Sequence, residues 1–243
     1  MTRFWLPMGR RVLVLIALLV MLLLLFPLRL AVAALDLGAQ GVTARDVSGS
    51  VWSGSVTGLA IGGVALGDVD AALSPLHLLI GQGRIAVARP DDAGAASPLN
   101  GAVVISRNSF AIDDVTATIP ASAALAPLPL GAVTLTGLSV RFLDGACISA
   151  SGRVGATVAG SFAGVALSQG LSGDATCDGQ YVRIALAGQT AQERLELRID
   201  VRGNYIADLI AVEPAADRVA ALAAAGFSAV PGGYRLRITG RFQ

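Results

Sequence analysis

Residues 194–202 read Arg-Leu-Glu-Leu-Arg-Ile-Asp-Val-Arg, and residues 234–242 read Tyr-Arg-Leu-Arg-Ile-Thr-Gly-Arg-Phe. In both stretches, apolar or small residues alternate with polar or charged ones. Successive side chains of a β-strand point to opposite faces of its sheet, so this period of two predicts strands with one dry and one wet face. These stretches decide the fold, because the same pattern recurs over most of the chain.

Similar runs fill the chain beyond residue 36, and Gly-containing turns separate many of them. They cover residues 69–73, 99–106, 110–119, 133–142, 147–158, 162–177 and 182–186. Short connections between alternating strands favour antiparallel pairing, and we expect roughly ten to twelve strands. The alternation changes phase at Gly137, which indicates a β-bulge. The predicted fold is therefore mainly β, a large curled antiparallel sheet or a flattened sandwich.

Helices are predicted at few places in this part of the chain. Residues 121–125 could form a short turn, and residues 91–98 read as an exposed loop. A firmer helix is predicted over residues 214–225, with Pro214 at its first position and Gly226 just past its end. Val219 and Leu222 give this helix one apolar stripe, and it precedes the predicted last strand.

The N-terminus carries the longest apolar run of the chain. Residues 12–28 contain no charge, and Arg3, Arg10 and Arg11 precede them. Extended to residue 34, the run would form a helix of about 34 Å, enough for a hydrocarbon core of about 30 Å. We therefore predict a single-pass transmembrane anchor over residues 12–34.

The arginines before the anchor predict a cytoplasmic N-terminus at residues 1–11 and a periplasmic β-domain at residues 35–243. The alternative is a signal peptide cleaved near Ala31-Val32-Ala33. Both interpretations send the β-domain across the membrane. Pro27 lies inside the run and could bend or end the helix.

The composition narrows the classes of function. Apolar residues make up 54% of the chain and charged residues 14%, which excludes disorder for most of it. From residue 36 onward, 14 Arg stand against 17 acidic residues, a net charge of −3. Nucleic-acid binding needs a basic face, so a nucleic-acid partner is not expected.

Two cysteines, Cys147 and Cys177, suit the predicted compartment. Disulfides persist outside the cytoplasm, so we predict that the two are paired. The alternative is two buried free thiols. A zinc site is not expected, because the chain has one His and no C-x-x-C motif.

The sequence offers no catalytic constellation, and we predict a protein that is not an enzyme and holds no cofactor. His77 is the only His and lies among apolar residues, where packing is the plainer interpretation. The acidic pairs at 68/70, 91/92 and 113/114 lack a neighbouring base, so solvated surface explains them. The arginines at 194/198/202 and 235/237/241 could meet an acidic partner or simply wet the outer face of a sheet.

One cluster of motifs is more specific. Residues 47–54 read Val-Ser-Gly-Ser-Val-Trp-Ser-Gly, and residues 73–76 read Leu-Ser-Pro-Leu. With the anchor, the mid-chain cysteines and the segments 216–222 and 233–236, this order resembles the type II secretion system protein N (general secretion pathway protein N) family. The motif positions carried over are Gly49, Trp52, Gly54, Ser74 and Pro75.

The resemblance implies an accessory subunit of the bacterial inner membrane that faces the periplasm and supports export of folded proteins across the outer membrane. Its expected partners are other inner-membrane or periplasmic secretion subunits, with the bilayer held through the N-terminal helix. Trp52 has two interpretations, a core anchor between small residues or a docking aromatic near the membrane surface.

The alternative function is lipid handling. A long Gly-rich antiparallel sheet on one anchor also resembles bacterial proteins with AsmA-like or lipopolysaccharide-transport-like groove domains. In those proteins the apolar face of the sheet carries acyl chains. Whether the chain's own side chains fill that face distinguishes the two hypotheses.

Overall fold

The computed structural model describes residues 8–34, 38, 41–61, 64–89, 98–120, 130–158, 161–162, 165–166, 170–188, 193–212, 214 and 216–241. Four helices occur in this part of the chain: α1 (Met8–Leu24), α2 (Leu28–Ala34), α3 (Pro75–Leu79) and α4 (Ala216–Ala224). The remaining regular structure is β-strand. The first nine strands are β1 (Val42–Thr43), β2 (Asp46–Ser50), β3 (Ser53–Ile61), β4 (Val64–Leu73), β5 (Gly83–Ala88), β6 (Leu99–Ile105), β7 (Ser109–Pro120), β8 (Leu130–Leu143) and β9 (Ala146–Val158). The others are β10 (Ser161–Phe162), β11 (Val165–Ala166), β12 (Leu171–Asp178), β13 (Tyr181–Ala187), β14 (Glu193–Ile199), β15 (Asn204–Val212), β16 (Ser228–Val230) and β17 (Gly233–Arg241).

The described strands form one 15-stranded antiparallel sheet and a separate two-stranded hairpin of β10 and β11. Within the large sheet, strands pair in the order β1-β3-β4-β5-β6-β7-β8-β9-β12-β13-β14-β15-β17-β16, and β2 also pairs with β3. Almost every neighbour in space is therefore a neighbour in sequence, as short turns require. The prediction of a large antiparallel sheet is confirmed. The strands do not divide into the two sheets of a sandwich.

The alternation seen in the sequence becomes alternating burial. In β13 Val182, Ile184 and Leu186 are buried, and β15 buries four residues on the same face. These side chains belong to a core cluster that extends from β8 to the loop before β16. Leu222, on the predicted apolar stripe of α4, is 1% exposed and joins this cluster.

A line of irregularities crosses four neighbouring strands of the sheet. Register shifts occur beside Gly101 in β6, Asp114 in β7 and Gly137 in β8, and all three residues have positive φ. Gly152 of β9, opposite the Gly137 bulge, has φ +112°, and a Cβ there would lie 2.6 Å from the carbonyl oxygen of Gly137. The bulge predicted at Gly137 is confirmed. Bulges bend strands and increase their twist, so this line curves the sheet.

The prediction of a single helix over residues 12–34 is wrong. The chain instead forms α1 and α2, with a break at residues 25–27. Pro27 explains the break, because it lacks an amide hydrogen and its ring clashes with the carbonyl four residues earlier. No helix in the described ranges is long and apolar enough to cross a bilayer.

The C-terminal helix also differs from its prediction. It begins at Ala216 rather than at Pro214, and two strands follow it rather than one. Gly226 follows its end with φ +90°, the left-handed conformation that glycine adopts readily. The predicted turn at 121–125, and all of the loop at 91–98 except Pro98, lie outside the described residues.

Candidate interaction site

The motif hairpin, residues 46–61, consists of β2 and β3 and the tight turn between them. Gly49 and Gly54 face each other across this hairpin. A Cβ on Gly49 would lie 2.7 Å from the carbonyl oxygen of Ser53, and one on Gly54 would lie 2.6 Å from Cδ2 of Leu28. Both positions therefore require glycine. Gly49 has φ +84° in a tightly closed hairpin, and a Cβ on Gly54 would also lie 2.7 Å from the backbone carbonyl oxygen of Ser48.

The motif hairpin also holds the N-terminal helices. The amide of Val51 donates to the carbonyl of Phe26 at 3.1 Å, and Pro27 forms an isolated bridge with Ser50. Arg29, the second residue of α2, forms an ion pair with Asp46 at 2.9 Å and donates through Nε to the carbonyl of Val47. The break after α1 therefore lies directly against the turn of the motif hairpin.

The Ser74-Pro75 motif lies beside the same turn. The amide of Leu73 donates to the carbonyl of Val51 at 3.0 Å, and that of Ser74 donates to the carbonyl of Arg84 at 2.9 Å. The hydroxyl of Ser74 lies 2.8 Å from Nδ1 of His77, one turn along α3. Pro75 is the first residue of α3, where a missing amide hydrogen costs nothing.

The structure thus brings all five motif residues to one end of the sheet. Trp52, in the turn of the motif hairpin, is half-buried and does not belong to the buried core. His77 is half-buried, and its ring contacts the hydroxyl of Ser74. The signal that could have located this cluster was the order of the motifs, since the alternation pattern alone does not show that residues 51 and 73 meet.

A second feature is a network of charged side chains on the solvated face of β12–β17, the face opposite the buried core. Glu196 accepts hydrogen bonds from Arg183 at 3.0 Å and from Arg198 at 2.7 Å. Arg198 also lies 3.7 Å from Asp178. The hydrogen bond and charge of Glu196 raise the pKa of Arg198 above its usual range.

Asp208 forms the other half of this network. Its side chain is only 11% exposed, and Arg237 donates to both of its carboxylate oxygens, at 2.7 and 2.8 Å. These hydrogen bonds lower the pKa of Asp208 against the opposing effect of burial, and the charges of Arg235 and Arg198 lower it further. Of the arginines in the two predicted rows, three pair with acids of the chain itself: Arg198, Arg235 and Arg237. The ion pairs found among the described residues do not include Arg194, Arg202 or Arg241.

Three of the residues in the candidate acidic pairs have structural roles in the described part of the chain. Asp113 pairs with Arg84, and Asp114 occupies the β7 bulge with φ +49°. Asp68 accepts a hydrogen bond from the amide of Gly58 at 2.8 Å. Residues 91 and 92 lie outside the described part of the chain.

Cys147 and Cys177 are joined by a disulfide, with 5.4 Å between their Cα atoms. The bond ties the start of β9 to the end of β12. Across the described residues, no group of three or more His, Cys, Asp or Glu side chains is placed to hold a metal ion. A surface cavity of about 290 Å³ near Thr134, Gly155 and Ser172 has no charged residue in its lining.

A family model described as "Type II secretion system (T2SS), protein N" matches residues 40–237 of the chain. The match begins just before the motif hairpin and ends within β17, so it covers nearly the whole β-domain. No curated protein and no solved structure matched the chain.

Proposed function

The chain belongs to the type II secretion system protein N family, and we propose that it serves type II secretion as an accessory, non-catalytic subunit of the inner membrane. The observation that carries this proposal is the family match over the β-domain. The structure adds that charged side chains on the solvated face of the sheet pair with one another, as Asp208 does with Arg237 and Glu196 with Arg183. A structural or interaction role is what such a surface supports.

We propose that residues 12–34 attach the chain to the inner membrane and that the β-domain faces the periplasm. The described large apolar side chains of α1 from Val12 to Leu22 are 46% exposed or more, so they lack a partner within the described chain. Burial of such a surface in lipid relieves the cost of exposing it to water. The arginines before α1 favour a cytoplasmic N-terminus.

The proposed contact with another secretion subunit is the outer edge of β17. Its residues 233–235 pair with β16, but residues 236–241 pair only with β15 among the described strands. At the opposite end of the sheet, contacts from Pro27 and Arg29 cover the edge of β2. An open row of backbone donors and acceptors can accept a strand from another chain.

In-cell photo-crosslinking of the tagged full-length protein tests this proposal. A benzoylphenylalanine replaces Thr239, an exposed residue of the open part of β17, and in a matched variant it replaces Thr136, an exposed residue of the central strand β8. We expect secretion subunits to be captured at 239 and not at 136. Equal capture at both positions would refute the proposal that the edge of β17 is the contact site. Capture of no secretion subunit from either position would count against the secretion role.

Lipid handling is the second candidate, and one observation favours it. Among the described residues, Val69 and Ala102 are the only buried apolar side chains of β3–β6, whereas β8–β15 contain most of the core. The apolar face of the first strands is therefore incompletely filled. Native mass spectrometry of the detergent-extracted protein would show bound phospholipid if this face carries acyl chains.

A further inference from the structure

The segment from Leu76 to Ile80 exposes a cluster of large apolar side chains. Leu76 is 73% exposed, Leu79 84% and Ile80 69%, and Leu78 is 43% exposed. Residues 71–83 contain no Asp, Glu or Arg, so no charged side chain of this segment accompanies the cluster. A contiguous, exposed and uncharged apolar surface marks an interaction site more often than ordinary protein surface.

This segment is held in place by its own backbone. The carbonyl of His77 accepts from the amides of Ile80 and Gln82, and the amide of Gly81 donates to Leu78 at 3.0 Å. The contact between the Ser74 hydroxyl and the His77 ring links the residue before α3 to the middle of that helix. The exposed side chains are therefore presented by a fixed turn.

The cluster is linked to the end of the proposed membrane anchor through the turn of the motif hairpin. Two backbone hydrogen bonds lead from Phe26 to Val51 and from Val51 to Leu73, and α3 begins two residues later. The ion pair of Arg29 fixes α2 on the same hairpin. The chain just after α1 and the segment just before the cluster are therefore both hydrogen-bonded to the turn of the motif hairpin.

We propose that Leu76, Leu78, Leu79 and Ile80 insert into the surface of the bilayer that α1 enters, as a second membrane contact that sets the orientation of the sheet. This inference rests on the proposed membrane attachment. Leucine and isoleucine partition favourably into hydrocarbon, whereas the energetically dominant residues of protein interfaces are typically Trp, Tyr and Arg, which the segment lacks. Its composition therefore fits lipid better than a protein groove.

Photo-crosslinking to lipid tests this contact in the full-length protein, reconstituted in vesicles of phosphatidylethanolamine and phosphatidylglycerol. Benzoylphenylalanine replaces Leu79 in the test variant, Leu19 of α1 in the anchor control, and Ile148 of β9 in the surface control. Ile148 is 52% exposed but lies far along the sheet from the motif hairpin. The readout is the phospholipid adduct on the labelled peptide, measured by mass spectrometry.

We expect adduct yields at Leu79 close to those at Leu19 and several-fold above those at Ile148. An adduct at Leu19 with none at Leu79 would overturn the second contact and leave the membrane attachment intact. The absence of a lipid adduct at both positions would overturn the second contact and the proposed membrane attachment together. A protein adduct at Leu79 without lipid, whether to a second copy or another chain, would show that the cluster is a protein interface.

Discussion

Two glycines on neighbouring strands show how closely the backbone is packed. A Cβ on Gly173 of β12 would lie 1.9 Å from the carbonyl oxygen of Ala185, whereas a Cβ on Gly155 of β9 would meet nothing nearer than 3.9 Å. Neither residue has a φ in the left-handed region. The two positions therefore differ in the room available for a side chain, and neither has a backbone conformation that requires glycine.

We predict that Gly173→Ala lowers the free energy of unfolding by about 1–3 kcal/mol, because the new methyl group forces the strands apart. Gly155→Ala should be neutral or stabilising by up to about 1 kcal/mol, since it restricts only the unfolded chain. Urea denaturation of both variants in the same detergent measures the difference. Equal effects of the two substitutions would show that the close approach at Gly173 is relieved at no cost.

The hydrogen bonds of Asp208 predict how the stability of the protein changes at low pH. The pKa of Asp208 is lowered in the folded protein by hydrogen bonds from Arg237, so its contribution to stability is full above the unfolded pKa of about 4. The contribution is lost as the pH falls through the lower, folded value. We expect Asp208→Asn to reduce the free energy of unfolding by about 1–2 kcal/mol at pH 7, because a charged hydrogen bond is removed from a largely buried site.

The difference between Asp208→Asn and the unmodified protein should shrink as the pH is lowered below about 4, where the unfolded carboxyl also protonates. Denaturation curves at pH 7 and pH 3 measure it. Asp144→Asn is the control, since Asp144 is exposed, has no ion pair among the described residues, and occupies a positive φ that Asn tolerates. A constant difference across this pH range would contradict the argument.

At the scale of elements, the disulfide links two strands separated by a segment that includes the β10–β11 hairpin. Closing a loop of 30 residues restricts the unfolded chain, and the chain-entropy model gives about 3–4 kcal/mol. We predict that replacing both Cys147 and Cys177 by Ser lowers the free energy of unfolding by this amount. Unfolding the unmodified protein with and without reductant provides the control, and identical midpoints would contradict the prediction.

The strands were predictable because each carries its own evidence, an alternation that the face of the sheet converts into burial. Residues 194–202 and 234–242 are strands for that reason. The helix at the N-terminus was predicted too long, because hydropathy counts apolar residues but Pro27 changes the backbone geometry. α3 was missed since five residues with a central His show no period, and its exposed leucines look like core in the sequence.

The candidate site was predictable only in part. The motifs named Gly49, Trp52, Gly54, Ser74 and Pro75, but only the fold shows that the two segments meet at the hydrogen bond between Leu73 and Val51. The charged network was visible as rows of arginine, yet the pairing of Asp208 with Arg237 depends on strand register. Register between distant segments is set by the whole sheet, which a local pattern does not specify.

At the scale of the molecule, one continuous sheet contains two parts that differ in burial. The core cluster begins at β8, and the strands before it contain few buried side chains among those described. Because almost all pairing is between sequence neighbours, the first strands can separate from the sheet without breaking the rest. Local openings of this kind have free energies that follow burial rather than hydrogen bonding alone.

We therefore predict that hydrogen exchange is slowest in β13, β14 and β15 and several-fold faster in β3 and β5, although each of these five strands has a paired strand on both sides. Exchange followed by mass spectrometry on the full-length protein in detergent measures this, with β17 as an internal standard for a strand near an edge. Uniform protection would mean that the sheet opens as one unit. If added phospholipid slows exchange only in β3–β6, acyl chains complete the core of this half of the sheet, as the lipid-handling hypothesis requires. If phospholipid changes nothing, the contact of a secretion subunit with the open edge of β17 is the better-supported function.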